Sequence, residues 1–257
     1  MKTNYHTHTI RCNHAQGTEE DYVLEAIKQG VSILGFSDHG PYKDDKYALR
    51  MEFCELKDYI NQVRFLQNKY KDKINIKCGL ELEYSKHQKL YYQELFDKYK
   101  IDYLVLGQHF YFKDNNFINS YCLTNSSQFI DYAKSVVEGM KTGFFKFLAH
   151  PDVVFINDIK WDSNCEKCCD IIIKNAKEQD FILEFNANGV RKGLMSFNDG
   201  NRYAYPYEKF WEMVAKHNIK VVVNSDCHSP SEIFDDYVLQ SYNLAKKWGL
   251  NIITEIF

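Results

Sequence analysis

With 257 residues the chain is long enough for one large α/β domain or two small ones, and for a substantial buried core. Hydrophobic residues at 45% and charged residues at 26% are ordinary for a globular protein, and a net charge of −3 excludes a nucleic-acid partner held mainly by a basic surface. No apolar run can span a bilayer and the first six residues lack the apolar stretch of a signal peptide, so the expected setting is the cytoplasm, with no membrane partner.

Short β-rich runs alternate with longer amphipathic ones. A strand at residues 4–8 precedes a helix at 19–29, which Gln29-Gly30 can stop. A strand at 32–37 precedes a helix at 53–70, and strands at 75–83 and 103–109 follow. Then come a helix at 127–141, a strand at 145–150, a helix at 164–178 and a strand at 181–186. A helix at 207–217, a strand at 220–224 and a helix at 230–248, started by Ser229-Pro230 with Glu232, complete the series. Most of the strands are continuous apolar runs, as in parallel sheets buried on both faces. No repeat, low-complexity segment or linker divides the chain, so a single domain over residues 1–257 is expected. Of the eight cysteines, Cys165, Cys168 and Cys169 lie on the face of a helix, with no second C-x-x-C to complete a zinc knuckle. They read as reduced, packed thiols.

The strand ends carry the chemistry. The first ends in Tyr5-His6-Thr7-His8, and two histidines one residue apart point to the same side of a strand, where both can reach one ion. His14 follows in the loop at 11–17. The second strand ends in Ser37-Asp38-His39-Gly40 and the third in Gly79-Leu80-Glu81-Leu82-Glu83-Tyr84. The fourth ends in His109, the fifth in Ala149-His150-Pro151-Asp152, and the seventh in Asn224-Ser225-Asp226-Cys227-His228. In parallel β/α folds these ends share one face, where active sites are built. A lone histidine there is ordinarily a hydrogen-bonded core residue. Seven of nine on one face imply a shared ligand. An open sheet would spread them along a line, whereas a closed barrel gathers the first and last strands over one centre. His217, at a helix end, and His87, in a polar helix start, need no ligand.

These motifs, in this order from Tyr5 to about Pro230, resemble the polymerase and histidinol phosphatase (PHP) superfamily. The segment from Glu184 through Asn186-Ala187-Asn188-Gly189-Val190-Arg191-Lys192 is similar to the E-x-N-x-x-G-x-R-K run of its monofunctional histidinol-phosphate phosphatase branch. The resemblance implies an α/β fold, a distorted seven-stranded (β/α)7 barrel, matching the strand count. It also implies up to three divalent ions. His6, His8 and Asp226 would join Glu81 around one; Glu81 would bridge to a second that takes His109 and His150; His14, His39 and His228 would hold the third. Zinc, manganese and iron all accept such ligands. The implied activity is hydrolysis of L-histidinol phosphate in histidine biosynthesis; the alternative is a phosphoesterase of the same family acting on another small phosphate ester or a nucleotide. A decayed metal-binding domain is disfavoured by the full ligand set, and an amidohydrolase by the lack of a lysine at the fourth strand end.

Two tasks remain for the protein. Asp38, beside His39, is either the acid that protonates the leaving alkoxide or a carboxylate that orients a histidine. Arg191 and Lys192 follow the one strand without a metal ligand, so their loop is free to grip the substrate phosphate, with solvated loop cations as the plain alternative. Arg202, before Tyr205-Pro206, is a third cation for the same role.

Overall fold

The structure is a computed structural model and describes residues 1–43, 49–114 and 116–257. Strands form in all seven predicted regions, but the first is only Thr3–Asn4, so His6 and His8 follow it around the isolated Thr7 bridge rather than lie on it. The seven are β1 (Thr3–Asn4), β2 (Ile33–Phe36), β3 (Asn75–Leu82), β4 (Tyr103–Leu106), β7 (Phe145–Leu148), β8 (Ile182–Asn186) and β11 (Lys220–Asn224). They pair in parallel in that order, and an eighth strand, β12 (Asn251–Ile253), adds to β11. Two hairpins sit outside the sheet, β5 (Phe110–Lys113) with β6 (Asn116–Asn119), and β9 (Met195–Phe197) with β10 (Gly200–Arg202). The helices are α1 (Glu19–Lys28), α2 (Leu56–Lys69), α3 (Lys89–Asp97), α4 (Ser127–Met140), α5 (Ser163–Glu178), α6 (Ala187–Arg191), α7 (Glu208–Ala215) and α8 (Asp236–Lys247).

The sheet curls into the expected distorted barrel, and its seam shows the distortion. At the end where the strands finish, Thr7 bridges Cys227 and the His8 N–H donates to the Cys227 carbonyl at 3.0 Å. Two asparagines lock the same seam: the Tyr5 N–H donates to Asn224 Oδ1 at 2.9 Å, and the Ser225 N–H to Asn4 Oδ1 at 2.8 Å. At the opposite end β12 pairs with β11, while the Thr254 carbonyl accepts from Thr3 Oγ1 (2.8 Å) and the Tyr5 hydroxyl (3.0 Å). β1 and β11 therefore meet at the functional end, while the residue after β12 closes against Thr3 at the other. A register shift between Leu104 and Val105 adds to the irregularity.

The apolar runs are explained by burial on both faces. Along β4, Tyr103 and Val105 join Tyr5, Phe147, Ile182, Val222 and Ile256 inside the barrel, while Leu104 and Leu106 pack outward under the helices. Helix starts follow from capping chemistry: Thr18 and Asp21 form a capping box on α1, and Asp162 and Asp235 cap α5 and α8. Cys165, Cys168 and Cys169 are buried, free thiols on α5. Among the described residues no helix is long and apolar enough to cross a membrane.

Candidate metal centre

Glu81, near the end of β3, is the hub. Its Oε2 lies 3.3 Å from His6 Nε2, 3.5 Å from His8 Nε2 and 3.1 Å from His39 Nδ1. Its Oε1 lies 3.4 Å from His109 Nε2 and 3.2 Å from His150 Nε2. One carboxylate thus faces two separate groups of imidazoles. Only glycine at position 107 allows this, since a Cβ there would stand 2.1 Å from Glu81 Oε1. Asp226 closes the site from β11's end, with Oδ1 3.2 Å from His8 Nε2 and 3.6 Å from His6 Nε2. Its φ of 48° and the 29° of His150 put two candidate ligands in the left-handed region, strain typical of a functional site.

His14 reaches the centre through a short turn. Thr9 caps a one-turn helix at Ile10–Cys12, and Asn13 at φ 65° reverses the chain. His14 Nδ1 then donates to the Cys12 carbonyl at 2.7 Å, and His228 Nδ1 to the Asp226 carbonyl at 3.1 Å. Both Nε2 atoms are left as acceptors, 3.0 Å apart. All seven histidines and both carboxylates expected at the centre are gathered around it.

The rings are aimed by groups the sequence reading left without a role. His6 Nδ1 donates to Glu184 Oε1 at 2.7 Å, and His109 Nδ1 to Glu83 Oε1 at 2.9 Å. Glu83 is itself held by Arg50 at 3.1 Å. Glu184 also accepts from Asn224, Asn186 and the His150 N–H. A carboxylate behind a metal-facing imidazole fixes its tautomer and raises its basicity. The signal was present for Glu184, an acid in the otherwise apolar run Phe181–Phe185.

Does this donor set fit a cation? His6 Nε2, His8 Nε2 and both Glu81 oxygens are buried and have no hydrogen-bond partner. The protonation equilibria agree. Burial alone would raise Glu81, but His109, His6 and His39 hold it well below the usual carboxylate range. Burial likewise opposes charge on His6 and His109. Even so, Glu184 with Asp226 and Glu81 raises His6 well above its ordinary value, and Glu81 with Glu83 lifts His109 to about 10. Burial drives His39 well down and His228 to about 4, with His8 adding to both. Positive charge is demanded here, and too few imidazoles can carry it as protons. Divalent cations supply it and leave the rings neutral, so the residues fit.

A cavity of about 630 Å³ opens over these groups, lined by His14, His39, His109, His150 and Asp226, by Lys192 and Asn188, and by Tyr121, Phe110, Phe117 and Tyr205. Lys192 donates to the Tyr205 hydroxyl at 2.9 Å. The cavity does not include Asp38, Arg191 or Arg202. Asp38 is fully buried and accepts from the Thr9 N–H (3.0 Å) and hydroxyl (2.6 Å), with Oδ1 3.9 Å from His8 Nδ1. It therefore stands behind His8, rather than beside His39 with access to substrate, and burial raises its pKa to about 7. Arg191 is turned away from the cavity and bound to Asp235 (2.9 Å), to the Ser225 carbonyl and hydroxyl and to the Glu232 carbonyl. Arg202 pairs with Asp199 and stacks on Phe197 and Tyr207. Of the three predicted phosphate contacts, only Lys192 faces the centre.

The PHP domain family model matches residues 4–188. A Schizosaccharomyces pombe protein named "Probable histidinol-phosphatase" is 26% identical, the match covering 96% of this chain and 87% of that protein. The Bacillus subtilis histidinol-phosphatase is 23% identical over 91% of this chain and 96% of its own. Among solved structures, the Lactococcus lactis histidinol phosphate phosphatase, complexed with zinc, L-histidinol and phosphate, superposes with a TM-score of 0.70 at 17% identity. That match covers 98% of this chain and 95% of the other.

Proposed function

The chain belongs to the PHP domain family, and from that membership and the site above we propose that it is a metal-dependent phosphomonoesterase. Its substrate in this reading is L-histidinol phosphate, hydrolysed to L-histidinol and phosphate. The carrying observation is Glu81, whose two oxygens face separate imidazole groups as a bridging carboxylate must. The choice of substrate rests on the names of the relatives and on the ligands of the Lactococcus protein. Residues 1–257 act as one catalytic unit in this reading, in the cytoplasm, where free thiols stay reduced.

His6, His8, Asp226 and Glu81 would hold one ion, Glu81, His109 and His150 a second, and His14, His39 and His228 a third. His39, 3.1 Å from Glu81 Oε2, stands between the first and third positions. Zinc is the ion named for the Lactococcus relative, and manganese or iron would suit the same donors. When bound, such ions acidify water towards neutrality and screen charge on phosphoryl oxygens. The surrounding charge needs a wider count than the two ligand carboxylates, because Glu184 and Glu83 lie directly behind the rings. Arg50 already pairs Glu83, and three divalent ions outweigh the rest, so a phosphate dianion is still attracted.

The chain's own residues then have separate tasks. Lys192, fixed by Tyr205, offers the ammonium that meets the phosphate at the cavity wall. Asn188 lines the cavity while its amide donates to Asp226 Oδ2 at 3.3 Å, holding that carboxylate in place. Asp38 positions the turn at Thr9 and the back of His8. Arg191 ties the Ala187–Arg191 helix to the Asp235 end of α8. Tyr121 and Tyr205 limit water access over the centre. The testing experiment compares kcat/KM for L-histidinol phosphate with glycerol phosphate, p-nitrophenyl phosphate and nucleoside monophosphates. A clear preference for histidinol phosphate supports the reading; equal or better turnover of a nucleotide overturns the substrate assignment.

A further inference from the structure

One buried thiol is built into the edge of the centre. Cys12 is fully buried and free, and it ends the one-turn helix that carries the chain from His8 to His14. Its Sγ lies 3.9 Å from His14 Nε2, which lies 3.0 Å from His228 Nε2. The ligand atoms of Cys12, His14 and His228 all fall within 4.8 Å of one another. Both rings commit Nδ1–H to backbone carbonyls, which leaves two Nε2 acceptors and a sulfur close together. Two imidazole acceptors at that separation repel unless a proton or a cation stands between them. Cys12 also lies within 4.8 Å of a second set of donors, His8 and Asp38, and the fully buried His8 Nδ1 has no hydrogen-bond partner.

Resting on the metal centre proposed above, we propose that Cys12 is a thiolate ligand of the cation held by His14 and His228. A zinc–sulfur bond of about 2.3 Å and a zinc–nitrogen bond of about 2.0 Å together span more than the Cys12–His14 gap, so one ion can touch both atoms. On binding, the sulfur gives its electron pair to the cation and the thiol proton leaves to solvent. A soft sulfur donor makes this position prefer zinc or cobalt over manganese, unlike the all-imidazole and carboxylate positions around Glu81. Cys227 is the other buried thiol nearby, but its sulfur is engaged with the His6 carbonyl at 3.8 Å and Asn4 Nδ2 at 3.7 Å.

The test is the absorption spectrum of the full chain, stripped and reloaded with Co²⁺ alone, with bound cobalt counted by metal analysis. The expected result is a thiolate-to-cobalt charge-transfer band in the near ultraviolet that is lost in Cys12→Ser and retained in Cys227→Ser. Should Cys12→Ser fold poorly, retention of the band in Cys227→Ser still excludes the other nearby thiol. Cobalt bound without that band overturns the Cys12 assignment and leaves the metal centre standing. A band that survives Cys12→Ser assigns the sulfur elsewhere and also overturns it. No cobalt bound at all removes the metal centre and this inference together.

Discussion

Glu184 offers a sharp test because its carboxylate is fully buried and accepts four hydrogen bonds from a single position. Oε1 receives His6 Nδ1 at 2.7 Å and Asn224 Nδ2 at 3.0 Å; Oε2 receives the His150 N–H at 3.0 Å and Asn186 Nδ2 at 2.8 Å. Glu184→Gln keeps the shape and replaces one oxygen with an NH2 group. Its remaining oxygen can serve the His150 and Asn186 donors, leaving the amide hydrogens facing His6 and Asn224. Asn224 cannot turn over without abandoning the Tyr5 N–H that its Oδ1 accepts at 2.9 Å. One buried donor is therefore orphaned, at a cost of about 1–3 kcal/mol. His6 can accept the new amide hydrogen only by moving its proton to Nε2, the atom that faces Glu81 and Asp226. That tautomer cannot ligate. Metal affinity should fall about 10–100-fold, the usual cost of losing a partner behind a ligand histidine. Urea unfolding of the stripped protein measures the first effect, and chelator competition measures the second. Metal affinity equal to wild type in a folded Glu184→Gln protein would refute the tautomer argument.

Other perturbations separate roles within the site. Lys192→Ala should raise KM for the phosphate ester by about 10–100-fold, the loss of one charged hydrogen bond, with metal content unchanged; an unaltered KM would leave phosphate binding to the ions. Arg191→Ala should act on folding instead, lowering the melting temperature by about 2–4 °C for each kcal/mol lost, and a selective KM effect would return it to the substrate. Asp38→Asn should slow alkyl phosphates and p-nitrophenyl phosphate alike at saturating metal, because Asp38 lies behind His8. Greater slowing of the alkyl esters would restore it as the acid that protonates the leaving group. Glu81→Ala should release metal from two positions and abolish turnover, so full metal retention in that variant would remove Glu81 from the centre.

What the sequence could disclose follows from geometry. Parallel strands ending on one face turn a list of strand-end residues into a site, so His6, His8, His39, Glu81, His109, His150, Asp226 and His228 were legible together. The barrel followed from the need to bring the ends of β1 and β11 over one centre, and the Thr7–Cys227 bridge is where they meet. The eighth strand was missed because Asn251–Ile253 is only three residues long, even though Gly249, at φ 73°, closes the helix before it. Arg191 and Lys192 were harder. Neighbours on a short helix differ by about 100° in direction, and nothing in their adjacency says which one faces the cavity. Asp38 stayed open between two roles for a related reason. On a strand end its side chain points opposite to that of His39, and only the folded chain shows it meeting Thr9 and the back of His8, which favours the orienting role over the acid. Arg50 and Glu83 act as a pair across 33 positions of chain, a contact that exists only once β3 and the segment after β2 are folded together.

The central claim is that imidazoles and carboxylates at the strand ends hold the cations that make this chain a phosphatase. It is tested most directly by stripping the purified protein with a chelator and following phosphate release from L-histidinol phosphate as Zn²⁺ or Mn²⁺ is added back in measured equivalents. The account predicts no turnover in the stripped protein and a rise that saturates at more than one ion per chain. Undiminished hydrolysis without metal, or a full rate restored by a single equivalent, would contradict it.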